Sequence, residues 1–293
     1  MVLPLSHPRL SESDSKVGGG FAFGGNDGHL SFWSTVIAKL ATRGVSLSVL
    51  FVAYPVMPQA FFPRQFQEAV NAIRYVLEDL SCSASRVMIA GDSAGGNLAA
   101  AALLHAARPS NLAPTLPKIS VSQKLRGLVL ISPWVSFDVS LHSFERNRNK
   151  DYLKAETEKR WSDMYLNKQS PSPYNEPALA SPEDWKDLPV LGVLVTAGSN
   201  EVLIDGIDYW VKDLQVSFPL QPRRWHCLLC NQVHNPNVTY KVANHEPHEA
   251  PLTWPVFGDH RETETHRNVI EWLGSNLKVQ NESSTDHKVQ KTI

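Results

Sequence analysis

The chain is 293 residues long and 42% hydrophobic, enough to enclose a sizeable core. With 28 Lys and Arg against 29 Asp and Glu its formal charge is −1, which excludes a basic field for nucleic acid or an acidic membrane surface. Three cysteines are too few for a disulfide framework and fit a reducing, cytoplasmic setting, and no apolar run approaches the roughly 20 residues that span a bilayer.

Residues 1–16 are polar and proline-bearing, lack the apolar run of a secretory leader, and read together with 278–293 as poorly ordered termini. A triple glycine, Gly18-Gly19-Gly20, precedes Phe21. Residues 46–54 (SLSVLFVAY) form an apolar, β-rich run that predicts a buried strand. From Pro63 to Leu80 the apolar residues recur at helical spacing, with Pro63 suited to a first turn. A short strand over Arg86–Ala90 leads into Gly91–Gly96 and an alanine-rich helix over Asn97–Ala107. Two further buried strands are expected at Leu125–Ser132 and Val190–Thr196, the second followed by a helix from Leu203 to about Val216. Residues 134–188 are polar and tryptophan-bearing, with a helix at Lys154–Leu166 and a proline-rich tail, and read as a cap inserted above the sheet. VTYKV (238–242) predicts a strand and Glu262–Leu277 an amphipathic helix. Strands alternating with helices predict an α/β fold, a mostly parallel sheet flanked by helices, as one domain over 17–277.

The strongest chemical signal is Gly91-Asp92-Ser93-Ala94-Gly95-Gly96-Asn97. A Gly-x-Ser-x-Gly between a strand and a helix is a nucleophile elbow, in which a strained turn presents the serine hydroxyl at the carboxyl end of the sheet. The following amide, that of Ala94, then donates to an oxyanion, aided by the helix N-terminus. The triple glycine can turn further amides toward the same oxygen, each worth roughly 3–4 kcal/mol in an acyl-transfer step.

A serine nucleophile needs an acid and then a histidine, in that chain order. Glu201 lies closest to the end of the Val190–Thr196 strand, with Asp205 about one helical turn further on as the alternative acid. Among eleven histidines His248 is preferred, in the loop after the 238–242 strand, with His245, His234 and His260 as alternatives. Cys227 and Cys230, near His226 and His234, lack the second cysteine pair of a structural zinc site, so neither a metal nor a cofactor is implied.

With GGGF, GDSAGGN, a Ser-Pro-Trp at Ser132-Pro133-Trp134, and GSNEVL followed by HEAP, residues Val17 to Leu277 resemble the hormone-sensitive-lipase-like (α/β hydrolase fold-3) family. The likeness is greatest to its fungal esterase and deacylase branch, whose members often serve secondary metabolism. It implies an α/β-hydrolase fold and a cofactor-free carboxylic-ester hydrolase. Ser93, Glu201 and His248 would form the triad, and Gly19, Gly20 and Ala94 the oxyanion hole. Trp134, Phe137, Trp161 and Tyr165 would line an apolar pocket for a small hydrophobic ester. The same family fold also serves small-molecule receptors and enzymes that eliminate water or cyclise a substrate.

Three departures stand out. Val17 occupies the position of the motif histidine. Only a polar stretch of sixteen residues precedes Val17, so the first strands of the family sheet are expected to be missing. The Glu201–His248 interval is also longer than the family pattern, and a truncated or mis-spliced gene model is the expected origin of both length differences.

Overall fold

The structure, a computed structural model, describes residues 2–4, 19–110, 116–216 and 237–283, with the backbone alone at 2–4 and 278–283. Its sheet has six strands: β1 (Val2–Pro4), β2 (Val49–Phe51), β3 (Met88–Asp92), β4 (Gly127–Ile131), β5 (Val193–Gly198) and β6 (Val238–Ala243). They lie in the order β2-β1-β3-β4-β5-β6. The last four pair in parallel, from Met88 opposite Gly127 through to Gly198 opposite Ala243.

Successive side chains point to opposite faces, and along β3, β4 and β5 both faces are buried. Ile89, Leu128, Leu130, Val193 and Val195 pack on one face, into a core shared with helices α2 (Arg64–Arg74), α3 (Ser93–Ala107) and α6 (Ile204–Val216). Met88, Ala90, Val129, Ile131 and Leu194 pack on the other, beneath α1 (Asp27–Ala41) and α8 (Glu264–Ser283). Between β4 and β5 the chain makes two helices, α4 (His142–Arg146) and α5 (Ala155–Leu166). The short α7 (Ala250–Thr253) follows β6. No helix among the described residues is long and apolar enough to cross a membrane.

The short helices α4 and α7 were not anticipated from the sequence, and two longer-range features also depart from the expectation. The polar start was expected to supply no strand, yet Val2–Pro4 run antiparallel between β2 and β3, pairing with Val49–Phe51 on one side and, at Val2, with Ala90 on the other. The helix α1 was not anticipated, because glycines crowd its start. Its signal is Asn26, whose side chain accepts from the Gly28 amide while His29 accepts from the Asn26 amide. Elsewhere the differences are in bounds. The 46–54 run yields only Val49–Phe51 as strand, and the 63–80 helix closes with a π-helical turn at Tyr75–Asp79.

Candidate active site

Ser93 follows the last residue of β3 and begins α3, with φ at 43°, a left-handed value that costs a residue bearing a Cβ about 1 kcal/mol or more. The glycine two residues earlier is what permits the turn: a Cβ on Gly91 would collide with the Gly95 carbonyl. Because α3 starts at Ser93, the Ala94 amide lies in a first turn, where backbone N–H groups have no intrahelical acceptor.

Glu201 follows β5 by three residues and is fully buried. Its Oε1 accepts from the Gly198 amide at 2.6 Å and from the Ser132 hydroxyl at 3.3 Å, and its Oε2 accepts from His248 Nδ1 at 2.9 Å. The loop after β6 is stitched to the β5 turn by backbone bonds from Ser199 to Ala243 and from Asn200 to Glu246, which sets His248 over Glu201. Burial raises the Glu201 carboxyl, opposed by the hydrogen bond and charge of His248. The other proposed acid is elsewhere: Asp205 sits on the first turn of α6, accepts from the Ser143 amide and pairs with Arg146 at 2.6 Å. His245 and His260 are exposed, and His234 lies outside the described residues, as do Val17, Gly18, His226, Cys227 and Cys230.

Ser93 and His248 line one cavity of about 260 Å³, together with Gly19, Gly20, His29, Tyr152, Leu153, Trp161, Glu249, Thr253, Val256 and Phe257 among others. The two side chains share its wall without a hydrogen bond between them, an arrangement that tightens in many sites when substrate binds. Gly19 and Gly20 face the cavity opposite the elbow, and their amides meet no acceptor among the described residues. Gly20 has φ 57°, and a Cβ there would collide with the Trp161 ring.

Of the four proposed pocket aromatics, only Trp161 lines this cavity. Trp134 and Tyr165 are buried in the core, and Phe137 packs on both at its edge. Phe21 is the reason: its ring stacks on Tyr165 at 3.7 Å and 5° and packs against Trp134, so these aromatics support the glycine loop from beneath.

Sequence reasoning missed a buried polar group beside the elbow. His29 Nε2 lies 3.1 Å from Asp92, and both are at least nine-tenths buried. Burial alone would depress His29, but the charge and hydrogen bond of Asp92 raise it to about 9. Burial would likewise raise Asp92, and His29 outweighs it, holding the carboxyl well below the usual range. Glu249, next to His248, was also passed over. Its adjacency was visible, but its inward placement depends on a left-handed backbone at φ 49°. No group of described His, Cys, Asp and Glu residues has a metal-holding arrangement.

A family model described as alpha/beta hydrolase fold matches residues 17–217. Among curated proteins, the chain is 30% identical over 160 residues to arylacetamide deacetylase of Bos taurus, covering 52% of this chain and 37% of that one. It is 33% identical over 191 residues to an acetyl-hydrolase of Streptomyces hygroscopicus, covering 64% and 56%. The chain thus spans between a third and somewhat over half the length of such relatives. A crystal structure of an esterase from the bacterial hormone-sensitive lipase family superposes with a TM-score of 0.66 at 22% identity, covering 90% of this chain and 74% of that one.

Proposed function

The chain belongs to the alpha/beta hydrolase fold family, and from that premise we propose that it is a serine carboxylic-ester hydrolase. The observation that supports this most is the constellation at the carboxyl ends of β3, β5 and β6. Ser93 stands on a strained elbow and shares a cavity with His248, whose Nδ1 is bound to the buried Glu201.

In this reading Ser93 Oγ attacks the ester carbonyl carbon, its proton passes to His248 Nε2, and the carbonyl electron pair moves onto oxygen. The amides of Gly19, Gly20 and Ala94 receive that oxyanion. Collapse expels the alcohol, which takes the proton from His248, and leaves an acyl-serine. Water then attacks the acyl carbon, gives its proton to His248, and the carboxylic acid departs as Ser93 regains a proton. Glu201 orients the imidazole and stabilises its protonated form throughout.

The cavity supports a small, apolar ester. Its wall carries Phe23, Leu153, Trp161, Val256 and Phe257, and among the described residues no lysine or arginine that would receive a phosphate or carboxylate. The names of the relatives point the same way, toward deacetylation and acetyl-ester hydrolysis. A place in fungal secondary metabolism rests on the motif resemblance alone.

The test is labelling with a fluorophosphonate, combined with hydrolysis of p-nitrophenyl acetate and butyrate. Folded protein should be labelled at Ser93 and should release nitrophenol. Folded protein that does neither would point to a small-molecule binder on the same fold.

A further inference from the structure

The turn that carries Glu201 is gripped from two sides. Backbone bonds with the β6 loop hold one side. On the other stands Asn147, the residue that closes α4, whose side chain is fully buried. β5 ends at Gly198 and α6 begins at Ile204, so the carbonyls of Ser199 and Glu201 belong to neither element. Carbonyls shut away from water need a donor from elsewhere. Asn147 supplies both: its Nδ2 donates to the Ser199 carbonyl at 3.1 Å and to the Glu201 carbonyl at 2.8 Å. A side-chain amide nitrogen has two hydrogens, and both are used here.

Asn147 is itself fixed. Its backbone amide donates to the Ser143 carbonyl at 2.9 Å, and its carbonyl accepts from the Lys150 and Asp151 amides at 2.8 and 3.1 Å. Its Oδ1 accepts from Lys150 Nζ at 3.2 Å. A second tie follows four residues on, where Asp151 Oδ2 accepts from the Val202 amide at 2.8 Å. The next two residues, Tyr152 and Leu153, line the catalytic cavity, and the Tyr152 ring centre lies 6.0 Å from that of His248. One short segment between α4 and α5 thus grips the turn of the acid and forms part of the cavity wall. We propose that Asn147 is a positioning residue for Glu201: its two hydrogen bonds fix the backbone from which the carboxylate reaches His248. The inference rests on the reading of Glu201 as the acid and His248 as the base.

A glutamate has one more rotatable bond than an aspartate, so holding its carboxylate still takes more fixed points. The bonds of the Glu201 carboxylate go to the Gly198 amide, the Ser132 hydroxyl and His248 Nδ1, three separate stretches of chain. They form together only while the Glu201 backbone stays in one place. Without Asn147, two carbonyls lose their donor at once, and the turn gains by rotating toward water or another partner. The carboxylate travels with it, and the 2.9 Å bond to His248 lengthens. Displacements of about 1 Å, remote from the reacting atoms, cost up to about 10²-fold in rate. The loss falls on kcat, because Glu201 acts on the imidazolium that forms during reaction. The tie from Asp151 still holds Tyr152 and Leu153 in the wall, so substrate binding changes little.

The experiment compares the native protein with Asn147→Ala in p-nitrophenyl acetate hydrolysis, fluorophosphonate labelling and proton NMR. The His248 Nδ1 hydrogen, shared with a buried carboxylate, should give a line far downfield in the native protein. Asn147→Ala should lower kcat by about 10- to 100-fold with KM within about threefold of native. The His248 line should move upfield or vanish. A merely structural Asn147 would lower the melting temperature but leave kcat and the line of the folded protein as they are, and that result overturns the proposal. A loss confined to KM also overturns it, since it would place Asn147 in the support of the cavity wall. Should Asn147→Ala fail to fold, Asn147→Ser takes its place. Its hydroxyl keeps one donor, so kcat and the line should change in the same direction by less, and native values for both count against the proposal. If neither variant folds, Asn147 supports the fold as a whole and the proposal falls. Native protein that folds but is neither labelled nor active removes the hydrolase reading and this inference together. Native activity that Asn147→Ala leaves intact removes only this inference.

Discussion

Ser93, Glu201 and His248 each stand at or just past the end of a parallel strand, whereas the glycine loop opposite them is packed in place by rings from α5. On the first side, register does the positioning: β3 to β6 pair residue for residue, and backbone bonds tie the β6 loop to the β5 turn. On the second, Phe21 stacks on Tyr165, Trp161 lies against Gly20, and the main-chain link is the Met57 amide donating to the Phe21 carbonyl at 2.8 Å. Side chains placed by backbone register are displaced only by changes that break the sheet. A loop seated on side chains can shift when one ring is lost.

The largest expected effect lies on the registered side. Ser93→Ala should abolish fluorophosphonate labelling and lower turnover by about 10⁴-fold or more, with an unchanged melting temperature or a slight rise from the loss of a polar side chain at a strained position. Turnover within tenfold of the native protein would dissociate the elbow from the chemistry. Glu201→Gln should follow, with a fall of about 10³–10⁴-fold in kcat, because a neutral amide neither selects the right imidazole tautomer nor stabilises the imidazolium. Asp205→Asn is the control, since its partners are Arg146 and the Ser143 amide. It should cost turnover less than about tenfold, and a loss matching Glu201→Gln would reassign the acid.

The seated side should respond differently. Tyr165→Ala removes the ring beneath Phe21 and should lower the melting temperature; if the glycine loop donates to an oxyanion as proposed, kcat should also fall by about 10- to 100-fold, with KM changed less, because such donors act mainly on the transition state. Tyr165→Phe should restore both. The Tyr165 hydroxyl is buried without a partner among the described residues, so its removal is neutral or stabilising. Equal losses in Phe and Ala would show that the hydroxyl, and not the stack, carries the role.

This contrast also explains what could be read from the chain. Strand, elbow and helix around Ser93 follow from local pattern, as does the order of Glu201 and His248 after their strands, because these depend on contiguous residues. The supports of the glycine loop do not. Trp134, Phe137 and Tyr165 are conspicuous aromatics between β4 and β5, and whether such rings face a cavity or a core is decided by what packs on them, here Phe21 from more than a hundred residues earlier. His29 and Asp92 are 63 residues apart and meet only once α1 covers the sheet. Val2–Pro4 are too few for any periodicity to register, so their place inside the sheet is a tertiary fact alone.

The smallest effect should come from the mouth of the cavity, beyond both sides. Phe257 is 78% exposed and Val256 53%, yet both border the opening. An acetyl group is too short to leave the neighbourhood of Ser93, but a longer chain emerging from a cavity of about 260 Å³ would cover part of the Phe257 ring. Covering some 30–40 Å² of apolar surface contributes about 1 kcal/mol, or roughly a fivefold change in binding. Phe257→Ser should therefore raise KM for p-nitrophenyl octanoate by a few-fold, leave its kcat close to native, and alter the acetate ester least. Equal effects on both esters would place Phe257 in the support of His248 rather than at the rim. No effect on either would mean that chains leave the cavity by another wall, past Leu153 and Trp161.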